Sequence, residues 1–129
     1  MDETPRREPA FLAESEAYSL FQRGVAFLGE QHPAQAAMLL EQALRLEPGK
    51  NSIREALGRA EFALGIYEQA AMRFRDVLGD VPDNDYAQYA LARCLLKLGR
   101  APEARAHLRL ARALRPDSDL YREALSALE

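Results

Sequence analysis

Apolar residues recur at spacings of three and four along most of the chain, as they do in helices that bury one face. Tyr18, Phe21, Val25 and Leu28 form the first such run, which ends near Gly29–Glu30. Phe11 and Leu12 precede it, and residues 9–16 read either as a lead-in to this helix or as a separate turn. Pro33 opens the next run, where a missing N–H costs nothing in a first helical turn. That run carries Ala36, Leu39, Leu40, Ala43, Leu44 and Leu46, and Pro48-Gly49 stops it. The pattern then predicts helices at about 51–64, 67–80, 85–98, 101–114 and 119–128, with Gly65 and Gly99 ending two of them. Asn51, Asp85 and Asp119 stand at or beside helix starts, where a short polar side chain accepts from the free N–H groups of the first turn. Seven helices and no strand result, and the scarcity of β-branched residues agrees.

These helices repeat at a fixed interval of 34 residues. Pro48, Pro82 and Pro116 keep it, and so do Ala36, Ala70 and Ala104. Leu40, Phe74 and Leu108 form a third column, and Ala43, Val77 and Ala111 a fourth. A period of roughly 20–50 residues means stacked supersecondary units, whereas a plain four-helix bundle needs no fixed period. The repeats span 17–50, 51–84 and 85–118, with a capping helix over 119–128, in one domain over 10–129. Residues 1–9 are polar, carry Pro5 and Pro9, and are expected to form a flexible tail. Small residues at Gly24, Gly58 and Ala92 let paired helices approach closely, while Leu40, Phe74 and Leu108 fill the space between them. Leu120, Tyr121, Ala124, Leu125 and Leu128 make one apolar stripe on the last helix; Arg122, Glu123, Ser126 and Glu129 face away. A helix with a polar outer face suits the open end of a stack.

Composition narrows the class. Of 129 residues, 48% are apolar and 29% charged, which suits one ordinary soluble domain. No apolar run approaches the roughly 20 residues that span a bilayer. The first residues have no apolar core and so are not a secretory signal. One cysteine, Cys94, excludes an internal disulfide and fits a reducing, cytoplasmic compartment. The abundance of Ala, Arg and Leu fits a GC-rich bacterial genome. A net charge of −3 is too mild to argue for a partner. Its distribution is less even: Arg93–Arg115 holds seven basic residues against Glu103 alone, so this segment is +6 and the remainder −9.

Catalytic chemistry finds no foothold. His32 precedes Pro33 in a turn and His107 lies on an outer helix, and neither has a metal-ligand spacing with another His or Cys. Cys94 follows Arg93 and should point inward as a buried, inert thiol. There is no glycine pair to cradle a phosphate and no Gly-x-Ser-x-Gly elbow. The reading is a non-enzymatic chain with no cofactor and no metal.

Three sets of residues carry a family resemblance. They are Leu20, Arg23, Gly24, Phe27, Ala36, Leu40 and Pro48; then Arg54, Leu57, Gly58, Glu61, Ala70, Phe74 and Pro82; then Gln88, Leu91, Ala92, Leu95, Ala104, Leu108 and Pro116. Over about 17–118 the chain resembles the tetratricopeptide repeat (TPR) family, whose pattern is W-x₂-L-G-x₂-Y…A-x₃-F…P. It departs from that pattern in having no tryptophan, Glu61 for the tyrosine and Arg23 for a leucine. The resemblance implies an all-α solenoid, with antiparallel helix pairs stacked as a right-handed superhelix. Its first helices would line a concave groove for an extended peptide or a partner helix, as in an adaptor or scaffold.

The resemblance also says which side chains should face that groove. They are Tyr18, Phe21, Val25 and Leu28; Ser52, Glu55, Arg59 and Phe62; and Tyr86, Tyr89, Arg93 and Lys97, with Glu123 from the last helix. Tyr86, Tyr89 and Arg93 are the densest group, of residue types that dominate binding hot spots. Tyr86 and Tyr89 are the expected anchors, and Arg59, Arg93 and Lys97 the expected selectors of acidic groups. Tyr18 and Phe62 divide evenly between the groove and packing between helices. Members that clamp the C-terminal carboxylates of heat-shock chaperones use lysine, asparagine and arginine where this chain has Phe21, Val25, Ala56, Tyr86 and Ala90, so that clamp is missing. Type III secretion chaperones resemble a stack of this size, and the mixed groove permits that reading.

Two alternatives stay open. Arg105, Arg109 and Arg112 make a basic stripe, with Arg112 standing where earlier repeats have Leu44 and Leu78. Such a stripe suits an acidic partner or nucleic acid, or else is a solvated face whose stems cover apolar surface. The negative overall charge and the lack of stacking aromatics on that face argue against nucleic acid. The stack ends could instead pair in a homodimer.

Overall fold

The computed structural model describes residues 15–129. The expected tail over 1–9, with Phe11 and Leu12 after it, lies outside the described residues. Among the described residues seven helices follow one another: α1 Glu16–Gly29, α2 Pro33–Leu46, α3 Asn51–Ala63, α4 Tyr67–Asp80, α5 Asp85–Lys97, α6 Ala101–Leu114 and α7 Asp119–Ser126. No described residue is in a strand. α1–α2, α3–α4 and α5–α6 are antiparallel pairs; each second helix also packs on the next pair, and α7 lies on α6. The result is an all-α solenoid.

The helix starts follow the polar signals with an offset of one. Asn51, Asp85 and Asp119 are first helical residues, beside the caps. The capping bonds come from the preceding positions where those are Asn or Ser. Asn84 accepts from the Ala87 N–H at 3.0 Å and Ser118 from the Tyr121 N–H at 3.2 Å, as Ser15 does from the Tyr18 N–H at 3.0 Å. The turn inside each pair is the same. The His32, Ile66 and Arg100 N–H groups bond back to the carbonyls of Phe27, Glu61 and Leu95, closing each first helix. This closure needs a left-handed residue. Gly65 (φ 79°) and Gly99 (φ 78°) supply it in two turns, but Gln31 (φ 64°) holds it in the first. Gly29 is only the last residue of α1.

Close approach within each pair depends on small residues. A Cβ added at Gly24 would lie 2.7 Å from Cγ of Leu40, and one at Gly58 would lie 2.8 Å from Cζ of Phe74. One buried cluster runs from Ala70 in α4 through α5 and α6 to Leu125 in α7. Among the described residues α1–α3 are held by two smaller ones, around Leu40 with Leu57 and around Leu20 with Ile53.

The last helix bears one correction. Tyr121 and Leu125 are buried and Ala124 and Leu128 half-buried, but Leu120 is 53% exposed. Leu120 keeps the 34-residue register of Tyr18, Ser52 and Tyr86, a column outside the core, so it does not belong to the stripe. α7 is fastened by polar contacts as well. The Tyr121 hydroxyl donates to Asp85 Oδ2 at 2.6 Å, and Arg105 donates to the Leu128 carbonyl at 3.0 Å, a cation at a helix C-terminal end.

Candidate functional site

Eight residues from α1, α3, α4 and α5 enclose a cavity of about 240 Å³. Leu28, Phe62 and Tyr86 give it apolar walls, and Phe74 lies at its floor. Ala63 and Ala90 are small enough to leave the space open, and Arg59 and Arg93 bring the charge. Leu28, Arg59, Phe62, Tyr86 and Arg93 are all residues that the sequence assigns to a groove face. Ala63 and Phe74 are not, and Ala90 enters the sequence reading as one of the clamp positions on that face. Phe74 reads from sequence as core filler, which it is, but its ring also stands edge-on to Tyr86 at 6.3 Å. The signal for Ala63 is its position beside Phe62.

The aromatic and cationic groups are interlocked. The Arg93 guanidinium carbon lies 4.3 Å from the Phe62 ring centroid and 5.7 Å from that of Tyr89. Phe62 meets Tyr67 edge-on at 5.2 Å, so it packs between helices and walls the cavity at once. Tyr89 does not line the cavity; its ring sits 6.3 Å from Tyr86 and 5.3 Å from Tyr121 of α7. Lys97 is exposed, with Nζ 6.0 Å from the Tyr67 ring. Tyr18 and Phe21 are half-buried and Val25 is exposed, all away from the cavity lining. Ser52 and Glu123 are exposed.

The electrostatics follow from burial and neighbours. Burial pushes the Glu55 carboxyl up, Arg59 pulls it back, and Asp85 adds to the rise. Burial also raises the Tyr86 hydroxyl, against the pull of Arg59. Among the described residues neither Arg59 nor Arg93 has an ion pair. The Arg105–Arg109–Arg112 stripe differs. Arg105 is taken by Leu128, Arg109 pairs with Glu129 at 3.3 Å, and exposed Arg112 borders a shallow recess with Pro116 and Leu125.

The candidate reactive groups are spread apart. Cys94 is fully buried, and burial pushes its thiol up to about 11. His107 is half-buried; its Nδ1 lies 2.7 Å from Gln88 Oε1, and burial lowers its pKa. Gln88 in turn donates to the Pro82 carbonyl at 3.2 Å, tying repeat three to the loop before it. Among the described residues no group of three His, Cys, Asp or Glu is placed to hold a metal ion, and no helix is long and apolar enough to cross a membrane.

A stacked array of 34-residue helix pairs defines the class as a helical repeat protein. Two tetratricopeptide repeat family models match the sequence, one over residues 61–128 and the other over residues 21–74. The chain belongs to the tetratricopeptide repeat family. No curated protein matches it in sequence. Solved structures agree on the fold. The Arabidopsis OM64 TPR domain superposes with a TM-score of 0.84 at 19% identity, covering 88% of this chain and 93% of that one. The first TPR of Spaghetti (RPAP3), bound to the HSP90 peptide SRMEEVD, gives 0.83 at 14% identity, covering 88% and 90%. PcrH, in complex with the chaperone binding region of PopB, gives 0.76 at 20% identity, covering 91% and 94%.

Proposed function

We propose that this chain is a non-enzymatic, cytoplasmic adaptor. The face shared by α1, α3 and α5 is the concave groove, and it holds a segment of a partner protein without altering it. The observation that carries this reading is the cavity between Phe62 and Tyr86, apolar within and rimmed by guanidiniums. Such a recess, with a few convergent polar groups, is the usual form of a recognition site. Spaghetti (RPAP3) with its HSP90 peptide and PcrH with its PopB region support it by likeness of fold. The residues at Phe21, Val25, Ala56, Tyr86 and Ala90 do not form the heat-shock carboxylate clamp, so that peptide class is not proposed. The arginine stripe on α6 is a weaker candidate surface, because two of its three members fasten α7.

The test is affinity capture from a lysate of the source organism. Wild type is run beside a Tyr86→Ala/Arg93→Glu variant of unchanged circular dichroism. A protein retained by wild type and lost by the variant is the expected result. Retention of the same material by both would move the interaction off this face.

A further inference from the structure

We infer that the segment held on this face is acidic, with an apolar side chain entering the cavity while a neighbouring carboxylate meets the guanidiniums of Arg59 and Arg93. The inference rests on the adaptor reading and adds the chemistry of the partner.

Charge complementarity carries it. Arg59 and Arg93 are exposed, line the same cavity and lack a carboxylate partner among the described residues. Arg93 lies over the Phe62 ring at 4.3 Å. A contact with a ring face uses none of the guanidinium's N–H donors as a salt bridge would, and their fork matches a carboxylate. Stacking also fixes the side chain before a partner arrives, so less freedom is lost on binding. The acids nearby do not supply the missing partner. Asp85 is held by Tyr121 at 2.6 Å and lies 3.8 Å from Arg115. Glu55, one helical turn before Arg59, feels its charge but does not come within ion-pair distance of it.

The cavity sets the second half of the motif. Its volume of about 240 Å³ exceeds the roughly 150 Å³ known to admit a benzene ring. One phenylalanine, tyrosine or leucine side chain can be seated against Leu28, Phe62 and Tyr86. Glu55 is then the repulsive element, since its charge opposes an acidic segment and so weakens binding.

The probe is a random peptide library displayed on phage and panned on the full chain. Enriched sequences are then made as fluorescent peptides and titrated. The expected peptides carry Asp or Glu beside, or one residue from, Phe, Tyr or Leu. Their affinity is expected to fall about tenfold or more on Arg59→Glu/Arg93→Glu, and to rise on Glu55→Gln. Both arginines are exposed, so the reversal should leave the fold intact; Arg59→Gln/Arg93→Gln is the milder second variant and should weaken the same peptides less. Enrichment of neutral or basic peptides that need Tyr86 would leave the adaptor reading standing and overturn this inference. No enrichment, or binding indifferent to Tyr86→Ala and to both arginine variants, would overturn both. A single-stranded oligonucleotide that displaces the peptides at lower concentration would assign the face to nucleic acid and overturn the inference.

Discussion

In repeats one and three, the register position facing the second helix holds Phe27 and Leu95; in repeat two it holds Glu61. The opposing position holds Leu39 and His107 in those repeats, and Arg73 in repeat two. Glu61 is 1% exposed, and Arg73 meets both its oxygens at 3.1 Å. The same register therefore accepts an apolar residue, Phe27 or Leu95, or a carboxylate held by an arginine with two hydrogen bonds. What the position requires is filled volume with no polar atom left alone. The two solutions differ in robustness, because a buried ion pair balances a large desolvation cost against a large attraction. Losing one partner upsets that balance, whereas trimming an apolar pair does not leave a charge behind.

The largest expected effect comes from breaking that pair. Arg73→Leu strands the Glu61 carboxylate and should cost about 3 kcal/mol in denaturant unfolding, the low end for a buried pair because Arg73 is 21% exposed. Glu61→Leu/Arg73→Leu makes both positions apolar, as they are in repeat one, and should restore wild-type stability or exceed it. A single variant as stable as wild type would show that water reaches the carboxylate.

Next comes the close approach beneath it. Gly58→Ala drives a methyl into the flat edge of Phe74, at a net cost of about 1–2 kcal/mol after the gain in helix propensity. Gly24→Ala should cost less, since a leucine can turn aside and Ala92 already sits at this register opposite Leu108 in repeat three. Equal thermal shifts for the two would mean that Phe74 also yields.

A smaller effect separates the turns. Gln31 adopts the conformation that Gly65 and Gly99 adopt without strain. Gln31→Gly should stabilise the fold by about 0.5–1 kcal/mol, while Gly65→Ala should cost about 1 kcal/mol. If Gln31→Gly instead destabilises and Gly65→Ala stabilises, unfolded-chain entropy and not backbone strain governs the turn.

The smallest is a pH effect. Burial, more than Arg73 offsets, raises the Glu61 carboxyl above its ordinary 4.5. The folded chain thus binds that proton more tightly than the unfolded chain. As pH rises through the window between the two values, Glu61 subtracts stability, and the loss is complete above the folded value. Melting temperatures of wild type and Glu61→Gln, followed from about pH 4 to about pH 7, should therefore diverge in the variant's favour. A constant difference would mean that Arg73 cancels the desolvation.

Much of this fold can be read from the sequence because the 34-residue columns coincide with helical spacing, and prolines and glycines mark the breaks. Gln31 escapes that reading, since glutamine carries no turn signal of its own. Only its register with Gly65 and Gly99 betrays it. Leu120 misleads in the opposite way: it is apolar and helical, yet its column is that of Tyr86. The Glu61–Arg73 pair joins residues on different helices, so no periodicity along either one announces it. At the candidate site, the column rule finds Arg59, Phe62, Tyr86 and Arg93 because they lie on first-helix faces. It misses Phe74 because a second-helix core ring reaches through to the other side. It does not foresee that the Tyr89 ring leans on Tyr121 of α7.

The uneven division of the core has a further consequence. Among the described residues one cluster runs unbroken from α4 to α7, while α1–α3 rest on two smaller ones. A linear array opens where neighbouring units are least coupled. Amide protons of α1 and α2 should therefore exchange first and those of α5 last. The molecule would shed its leading pair while the trailing helices, Tyr86 and Arg93 among them, kept their places.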